Sequence, residues 1–122
     1  MPIVRLDDVA KQPFSQGATY QTIVGDDAGS TPVRVGIQVS PPGYSTGTHS
    51  HPYMEIVSVL EGEGVAWIEG EAEEVPIRAG DTMVLPPHTR HGFRVTGEKP
   101  LKTYGVHASP ARIVTRHPEA DG

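Results

Sequence analysis

The sequence predicts an all-β fold in a single domain. Short segments in which apolar and polar residues alternate recur along the chain, as in VRVGIQV at residues 33–39. Alternation with a period of two is typical of a strand that is buried on one face. Turn-forming residues separate these segments at short intervals, since the 122 residues include 14 glycines and 12 prolines. No segment has a sustained apolar repeat at the helical spacing of about 3.6 residues, so helices are not expected to form the core.

Nine segments have strand character, and turn signals separate them. A short helical turn is expected near LDDVAKQ, residues 6–12, before the first strand. The segment 33–39 places four valine or isoleucine side chains on one face and Arg34, Gly36 and Gln38 on the other. The other predicted strands cover residues 18–24, 55–61, 64–69, 73–77, 81–86, 91–96, 102–108 and 111–115. So many short strands in one domain indicate a sandwich, a jelly roll or a closed barrel, and strand propensity does not distinguish among these.

The length, 122 residues, fits one domain covering residues 1–122, and the composition argues against several functional classes. The net charge is -5 with acids and bases interspersed, which provides no basic stripe for nucleic acid. Residues 1–14 lack the pattern of a signal peptide, and no stretch approaches the roughly 20 apolar residues that span a bilayer. We therefore expect a cytoplasmic protein without a membrane partner. The polar residues 116–122 are expected to form a loose tail.

Two blocks of the sequence concentrate glycine and histidine at regular spacing. The first is GYSTGTHSHPYMEIVSVLEG, residues 43–62, and the second is GDTMVLPPHTRHGFRV, residues 80–95. The glycines and the HxH and glutamate of the first block, with the glycine, proline and histidine of the second, resemble the two motifs of the cupin superfamily. The resemblance implies a double-stranded β-helix, or jelly-roll barrel, and one metal ion with four ligands: His49, His51, Glu55 and His91.

The second block departs from the family pattern at two positions. His88 stands where the family has a glycine after the proline, and Val95 stands where it has an asparagine. Neither position is a metal ligand in the family. The departures therefore concern turn geometry and subfamily rather than metal binding.

The chemistry of the residues agrees with the resemblance. His49 and His51 are two residues apart, so both imidazoles point to the same face of an extended segment. Glu55 begins an apolar strand and shares a face with Val57, where an ionised carboxylate is tolerated only when it is paired or bound to a metal. The chain has no cysteine. Three imidazoles and one carboxylate favour one divalent transition metal per chain, with Fe, Mn, Ni, Zn, Co and Cu all open, over Ca or Mg.

The resemblance leaves the reaction open, because cupins include enzymes of several classes as well as storage and sugar-binding proteins. A non-redox isomerase or lyase needs an acid or base beyond the metal ligands, and the catalytic candidates are Tyr44, Tyr53 and His107. The scarcity of such groups slightly favours a dioxygenase that acts on an enediol, a diketone or a phenol-like substrate. The alternatives are a metal-dependent isomerase or lyase for a sugar or keto acid, and a binding protein that does not consume its ligand.

Other residues have ordinary structural explanations. His117 is expected in solvent, Trp67 and Tyr104 in the core, and the acidic run around residues 61–74 on a solvated face. The family resemblance also implies a homodimer, in which residues 1–14 could serve as an exchanged arm. The segment 55–61 agrees with a dimer, since it carries apolar side chains on both faces.

Overall fold

The computed structural model describes residues 3–121, which form two antiparallel sheets. The strands are β1 (Gln12–Pro13), β2 (Thr19–Val24), β3 (Arg34–Ser40), β4 (His49–Ser50), β5 (Glu55–Glu61), β6 (Glu63–Ile68), β7 (Val75–Arg78), β8 (Thr82–Leu85), β9 (His91–Val95), β10 (Leu101–His107) and β11 (Thr115–Arg116). The first sheet has the order β1-β2-β3-β10-β5-β8, and the second has the order β11-β4-β9-β6-β7. The all-β prediction of a jelly-roll barrel is confirmed.

The main apolar core lies between the two sheets. Strands β5, β8 and β10 of the first sheet contribute Val59, Leu85 and Leu101, all at most 2% exposed. The second sheet contributes Ala66 from β6 and Val95 from β9. Because residues of one strand alternate between faces, each of these side chains shares the inward face of its strand with residues two positions away. That periodicity also places the polar residues of the site.

Eight of the nine predicted strands are confirmed, and their ends differ from the prediction by two residues or fewer. The prediction for residues 111–115 is wrong, since only Thr115 belongs to a strand. The reason is that the backbone of Ile113 bonds to side chains instead of a neighbouring strand: its N–H donates to the Tyr53 hydroxyl and its carbonyl accepts from His51. The predicted helical turn is present as a 3-10 turn at Leu6–Asp8.

Strand β3 is buried on one face and half-buried on the other. Its polar residues Arg34 and Gln38 line an interior cavity. Its apolar residues Val35 and Ile37 are also buried but lie outside the main core cluster. Gln21, which pairs with Ile37, donates from its side-chain amide to the carbonyl oxygens of two residues in the N-terminal segment, Leu6 and Val9. The N-terminal segment therefore lies over the outer face of β3, and the polar face is available to a site inside the barrel.

The expectation of a loose tail is corrected for residues 116–121. Strand β11 pairs with β4, and the backbone N–H of Thr48 donates to the Asp121 carboxylate (2.8 Å). The hydroxyl of Ser50 and Nε2 of His117 form a hydrogen bond of 2.8 Å, so the His117 side chain is only 14% exposed rather than solvated. The sequence did not show this because the tail and its partners on β4 lie far apart in the chain, so no local pattern reports their contact.

Two smaller expectations have opposite outcomes. The acidic side chains around the β6–β7 hairpin are exposed, as expected for a solvated face. Tyr104, expected in the core, is 38% exposed on the outer face of β10 because it lies one residue out of phase with the inward positions of that strand. No helix within residues 3–121 has the length and apolar character required to cross a membrane.

Candidate metal centre

Four buried side chains meet at one end of the barrel interior. Donor atoms of His49, His51, Glu55 and His91 lie within 4.8 Å of one another, and each residue is at most 8% exposed. Strand β4 provides His49, which pairs directly with His91 at the start of β9. Glu55 is the first residue of β5. The structure thus brings together all four residues that the sequence predicted as metal ligands, and metal binding itself stays a prediction.

The turn that carries His88 supports this cluster in spite of its departure from the family pattern. His88 adopts a positive φ of 64°, a left-handed conformation that glycine favours and that histidine tolerates better than most residues. Its backbone N–H donates to the carbonyl oxygen of His51 (2.7 Å). The substitution of histidine for glycine therefore preserves the turn, while the exposed imidazole points away from the cluster's buried interior.

The three imidazoles of the cluster have the same hydrogen-bonding arrangement. Each uses Nδ1 as a donor to a backbone carbonyl oxygen, which fixes the ring orientation and leaves Nε2 as the atom with a lone pair. The acceptors are Gly47 for His49 (3.0 Å), Ile113 for His51 (2.7 Å) and Thr89 for His91 (2.9 Å). Backbone acceptors of this kind are the usual outer partners of metal-binding histidines.

The donor atoms of the cluster are complementary to a cation. The Nε2 atoms of His51 and His91 lie 3.2 and 3.1 Å from Oε1 of Glu55. With Nδ1 protonated on both rings, the Nε2 lone pairs face the carboxylate at hydrogen-bond distance, and either a proton on Nε2 or a bound cation relieves this contact. Nε2 of His51 is moreover buried without any hydrogen-bond partner. A divalent metal ion fits this donor set, because it would bind the lone pairs and the carboxylate together.

The environment favours the metal-binding protonation states. Burial lowers the pKa of His49 to about 4, so its imidazole is neutral near pH 7. Burial alone would raise the pKa of Glu55, but hydrogen bonds from His107, and from His51 and His91 when their Nε2 atoms carry protons, outweigh it and hold the pKa well below its usual range. A neutral imidazole and an ionised carboxylate are the forms that coordinate a metal.

Two of the three catalytic candidates join the cluster through a directed hydrogen-bond chain. The Glu55 carboxylate can only accept, so Nε2 of His107 donates to its Oε2 (3.2 Å). Nδ1 of His107 then accepts from the Tyr53 hydroxyl (2.7 Å), which in turn accepts from the N–H of Ile113 (3.2 Å). The third candidate, Tyr44, is buried in the cavity wall with its ring centroid 6.1 Å from that of Phe93.

A cavity of about 510 Å³ opens beside the cluster. This volume lies in the range of small-molecule sites. Its wall combines apolar side chains such as Phe93 with three arginines that the sequence reasoning missed: Arg34, Arg112 and Arg116. A signal for Arg34 was present, since it shares its strand face with Gly36, and a glycine inside a strand often marks a close approach of another group.

Comparison with known proteins agrees with this geometry. A family model described as a cupin domain matches residues 36–107, which is more than half of the chain. The chain belongs to the cupin family. The match includes the whole of β4, β5, β9 and β10, so it contains all four residues of the candidate metal centre as well as His107.

Individual relatives of this cupin differ in function. Auxin-binding protein 1 of Arabidopsis thaliana is 28% identical over 120 residues, covering 90% of this cupin and 61% of that protein. A 5-nitrosalicylic acid 1,2-dioxygenase of Bradyrhizobium sp is 28% identical over 113 residues, covering 84% of this cupin and 53% of the dioxygenase. This cupin therefore spans less than two thirds of the length of either relative. A crystal structure described as a predicted oxalate decarboxylase from Thermotoga maritima superposes with a TM-score of 0.76 at 28% identity, covering 87% of this chain and 97% of that one.

Proposed function

We propose that this cupin is a metal-dependent enzyme for a small molecule, and that the reaction is the dioxygenation of a phenol-like substrate. The observation that carries the proposal is the convergence of three imidazole Nε2 atoms and the Glu55 carboxylate beside a cavity of about 510 Å³. The similarity to a dioxygenase over 84% of this chain supports the choice of reaction. An enediol or a diketone could chelate the same centre.

The protein's own groups have definable roles in such a reaction. A bound transition metal would supply Lewis acidity and, if it is iron, electron transfer to dioxygen. His49, His51 and His91 hold their Nε2 atoms toward one point through their Nδ1 hydrogen bonds. Apolar cavity residues, among them Phe93, reduce access of water to that point, which strengthens every electrostatic interaction with the substrate.

The test of this function combines metal analysis with oxygen consumption. Protein purified without a histidine tag is analysed for metals, reconstituted with Fe(II), and assayed with an oxygen electrode against phenols, enediols and diketones. We expect about one metal ion per chain and substrate-dependent oxygen uptake, with no uptake by His91→Ala. His88→Gly, which removes an exposed imidazole from the same block, should behave as wild type. Full iron occupancy without oxygen uptake for any of these substrates would contradict the dioxygenase.

A non-redox isomerase or lyase is the second candidate, and the His107–Tyr53 pair favours it. This pair provides the acid or base beyond the metal ligands that such a reaction requires, and His107 lines the cavity. The structural similarity to a protein described as a predicted oxalate decarboxylase agrees with this class. The candidate predicts product formation from a sugar or keto acid without oxygen consumption. Product formation by a His107→Gln variant at the wild-type rate would contradict this role.

Ligand binding without turnover is the third candidate, because one relative is an auxin-binding protein. A binding protein should release its ligand chemically unchanged after long incubation with the metal-loaded form. Mass spectrometry of the recovered ligand distinguishes this candidate from both enzymes.

We also propose that the protein is a homodimer that buries the outer face of its six-stranded sheet. Register places an apolar row across three neighbouring strands of that face: Val84, Ile56 and Val106. Val84 is 56% exposed within a single chain. Light scattering at micromolar concentration should give twice the chain mass, and Val84→Lys should shift the protein toward the monomer without unfolding it. A monomeric wild type would contradict the proposal.

A further inference from the structure

Three arginines line the cavity, and the metal centre uses none of them. Arg34 donates from Nη1 to the carbonyl oxygen of Asp26 (3.0 Å), and Arg116 donates to the carbonyl oxygen of Thr46 (2.7 Å). The guanidinium carbon of Arg112 lies 5.3 Å from the Phe14 ring centroid. None of the three forms an ion pair with a carboxylate in the described part of the chain. Their positive charges are therefore available to a ligand.

The register of the sheet places Arg34 in the same row as the candidate metal centre. Arg34 of β3 pairs with His107 of β10, and His107 pairs with Glu55 of β5. Directly paired residues of antiparallel strands point to the same side of the sheet, so all three side chains face the barrel interior. Two strand spacings separate the backbones of Arg34 and Glu55 by about 10 Å. His107 lies between them in this row, and Arg34, His107 and the histidine cluster all line the same cavity of about 510 Å³, in which a small molecule could contact both the guanidinium and the cluster.

Acidic residues at the cavity do not cancel the charge of Arg34. Besides Glu55, the acids of the lining are Asp26 and Asp27, which are both exposed at the rim. The Asp26 carboxylate accepts hydrogen bonds from the backbone N–H and the hydroxyl of Ser30, so it is directed away from Arg34. Arg34 contacts only the carbonyl oxygen of Asp26 among these groups, and a carbonyl oxygen compensates little of a full positive charge.

Space for a flat ligand lies in the next row of the same sheet. Gly36 of β3 pairs with Gly105 of β10, and Gly105 pairs with Val57 of β5, whose side chain lines the cavity. A Cβ atom at Gly105 would have no heavy atom within 4 Å, so the chain leaves open volume at this position. At Gly36 a Cβ would collide with the Tyr20 ring, which therefore lies directly against the backbone. The open volume therefore lies over Gly105, with the Tyr20 ring beside it over Gly36.

We propose that Arg34 binds the anionic group of the substrate, and that the substrate is a planar, ring-containing carboxylate. Its charged group pairs with Arg34, its ring lies over Gly105, and its opposite end reaches the histidine cluster. The planar guanidinium matches a carboxylate with two parallel N–H donors, which gives both affinity and orientation. Arg112 and Arg116 raise the local concentration of anions at the cavity. The placement of the reacting end rests on the function proposed above.

Binding measurements on the zinc-loaded protein test this inference without any turnover. Isothermal titration compares 3-hydroxybenzoate with its neutral counterpart 3-hydroxybenzamide. We expect wild type to bind the carboxylate about tenfold more tightly than the amide, the size of a charge-assisted hydrogen bond. Arg34→Gln should abolish this preference and leave amide binding unchanged. Arg34→Lys keeps the positive charge but loses the two parallel N–H donors of the guanidinium, so it should retain part of the preference for the carboxylate. Arg78→Gln removes a charge outside the cavity and should retain the full preference for the carboxylate.

Three outcomes would overturn the proposal. The first is that wild type binds the two probes with equal affinity. The second is that Arg34→Gln lowers the affinity for both probes by the same factor while zinc content is unchanged. The third is a carboxylate affinity that survives Arg34→Gln but disappears in His91→Ala, because the carboxylate would then bind at the metal. None of these outcomes depends on catalysis. A failure of oxygen uptake, by contrast, contradicts the dioxygenase and leaves the role of Arg34 standing.

The open volume at Gly105 is tested separately. Gly105→Leu should weaken the binding of 3-hydroxybenzoate and of 3-hydroxybenzamide to a similar extent, because the new side chain occupies the space of the ring in both. Zinc content should stay at the wild-type level, since an added Cβ at this position would lie more than 4 Å from the four metal-ligand candidates. Unchanged affinity for both probes would exclude a ring position over Gly105.

Discussion

The two ends of the barrel interior are built by the same strands but differ in chemistry. Strand β5 begins with Glu55 and continues on the same inward face to Val59, and β9 likewise runs from His91 to Val95. Strand β10 runs in the opposite sense, so its first residue, Leu101, belongs to the apolar end and its last, His107, to the polar end.

Because of this difference, the residues that stabilise the fold and the residues of the candidate site lie at opposite ends of the same strands. The apolar end contains side chains such as Leu101 and Val59, at 0% and 2% exposure, and burial of each contributes about 1.5–3 kcal/mol. The polar end buries a carboxylate among four imidazoles, which costs free energy unless a cation and hydrogen bonds compensate. A substitution at the apolar end should therefore leave metal binding largely intact, and a substitution at the polar end should leave the fold largely intact. This independence can be tested.

The largest effect is expected from removal of a metal ligand. His51→Ala, and likewise His49→Ala or His91→Ala, should lower metal content from about one per chain to near zero because one of four donors is lost. Far-ultraviolet circular dichroism should still show a β-rich fold, since the apolar core lies at the other end. His88→Gly is the control and should bind metal as wild type does. Wild-type metal content in all three ligand variants would show that the site is wrong.

Truncation at the apolar end should have the converse effect. Leu101→Ala removes a fully buried side chain and should lower the free energy of unfolding by about 2–5 kcal/mol. Leu60→Ala makes the same chemical change at a residue that is 45% exposed and should cost about 0.5 kcal/mol or less. Urea unfolding of both variants provides the measurement. Metal content should remain near one per chain in folded Leu101→Ala, and its loss there would contradict the independence of the two ends.

Acidification should destabilise the polar end of the metal-free protein. The pKa of His49 is about 4 in the folded state against an ordinary value of 6.5, so between these values the unfolded chain binds more protons. The contribution of a neutral His49 is thus complete above pH 6.5 and is lost as pH falls toward 4. Relative to His49→Gln, wild type should lose on the order of 1–2 kcal/mol of stability between pH 7 and pH 5. Urea unfolding at several pH values measures this difference, and parallel pH profiles would contradict the burial of His49.

The smallest effect is expected from the groups that orient Glu55. Tyr53→Phe removes the hydroxyl that donates to His107 and should weaken metal binding by about tenfold, as is usual for outer partners of a metal site. Tyr44→Phe removes a hydroxyl from the same cavity without breaking this chain, and it should bind metal as wild type does. Competition with a chromophoric chelator measures both affinities. An equal loss of metal affinity in the two variants would indicate a general effect on the cavity instead of an effect of the hydrogen-bond chain from Tyr53 through His107 to Glu55.

Local spacing in the sequence predicted most of the framework. The alternation of apolar residues predicted eight strands because the period of two is a property of the extended backbone itself. The motif spacing predicted the four residues of the candidate metal centre, since His49 and His51 share a face and Glu55 and His91 each begin a strand. Gly62 illustrates why such motifs are recognisable: it has a φ of 87°, and a Cβ there would collide with the backbone of Pro100.

Tertiary structure alone decided which faces point inward and which distant residues meet. The polar face of β3 looks like a solvated face in the sequence, but the N-terminal segment covers the opposite face and directs Arg34 into the cavity. Strand register then places Arg34, His107 and Glu55 in one row although they lie far apart in the chain. Alternation is a local property of the backbone, whereas register and coverage depend on contacts between segments, which no local pattern encodes.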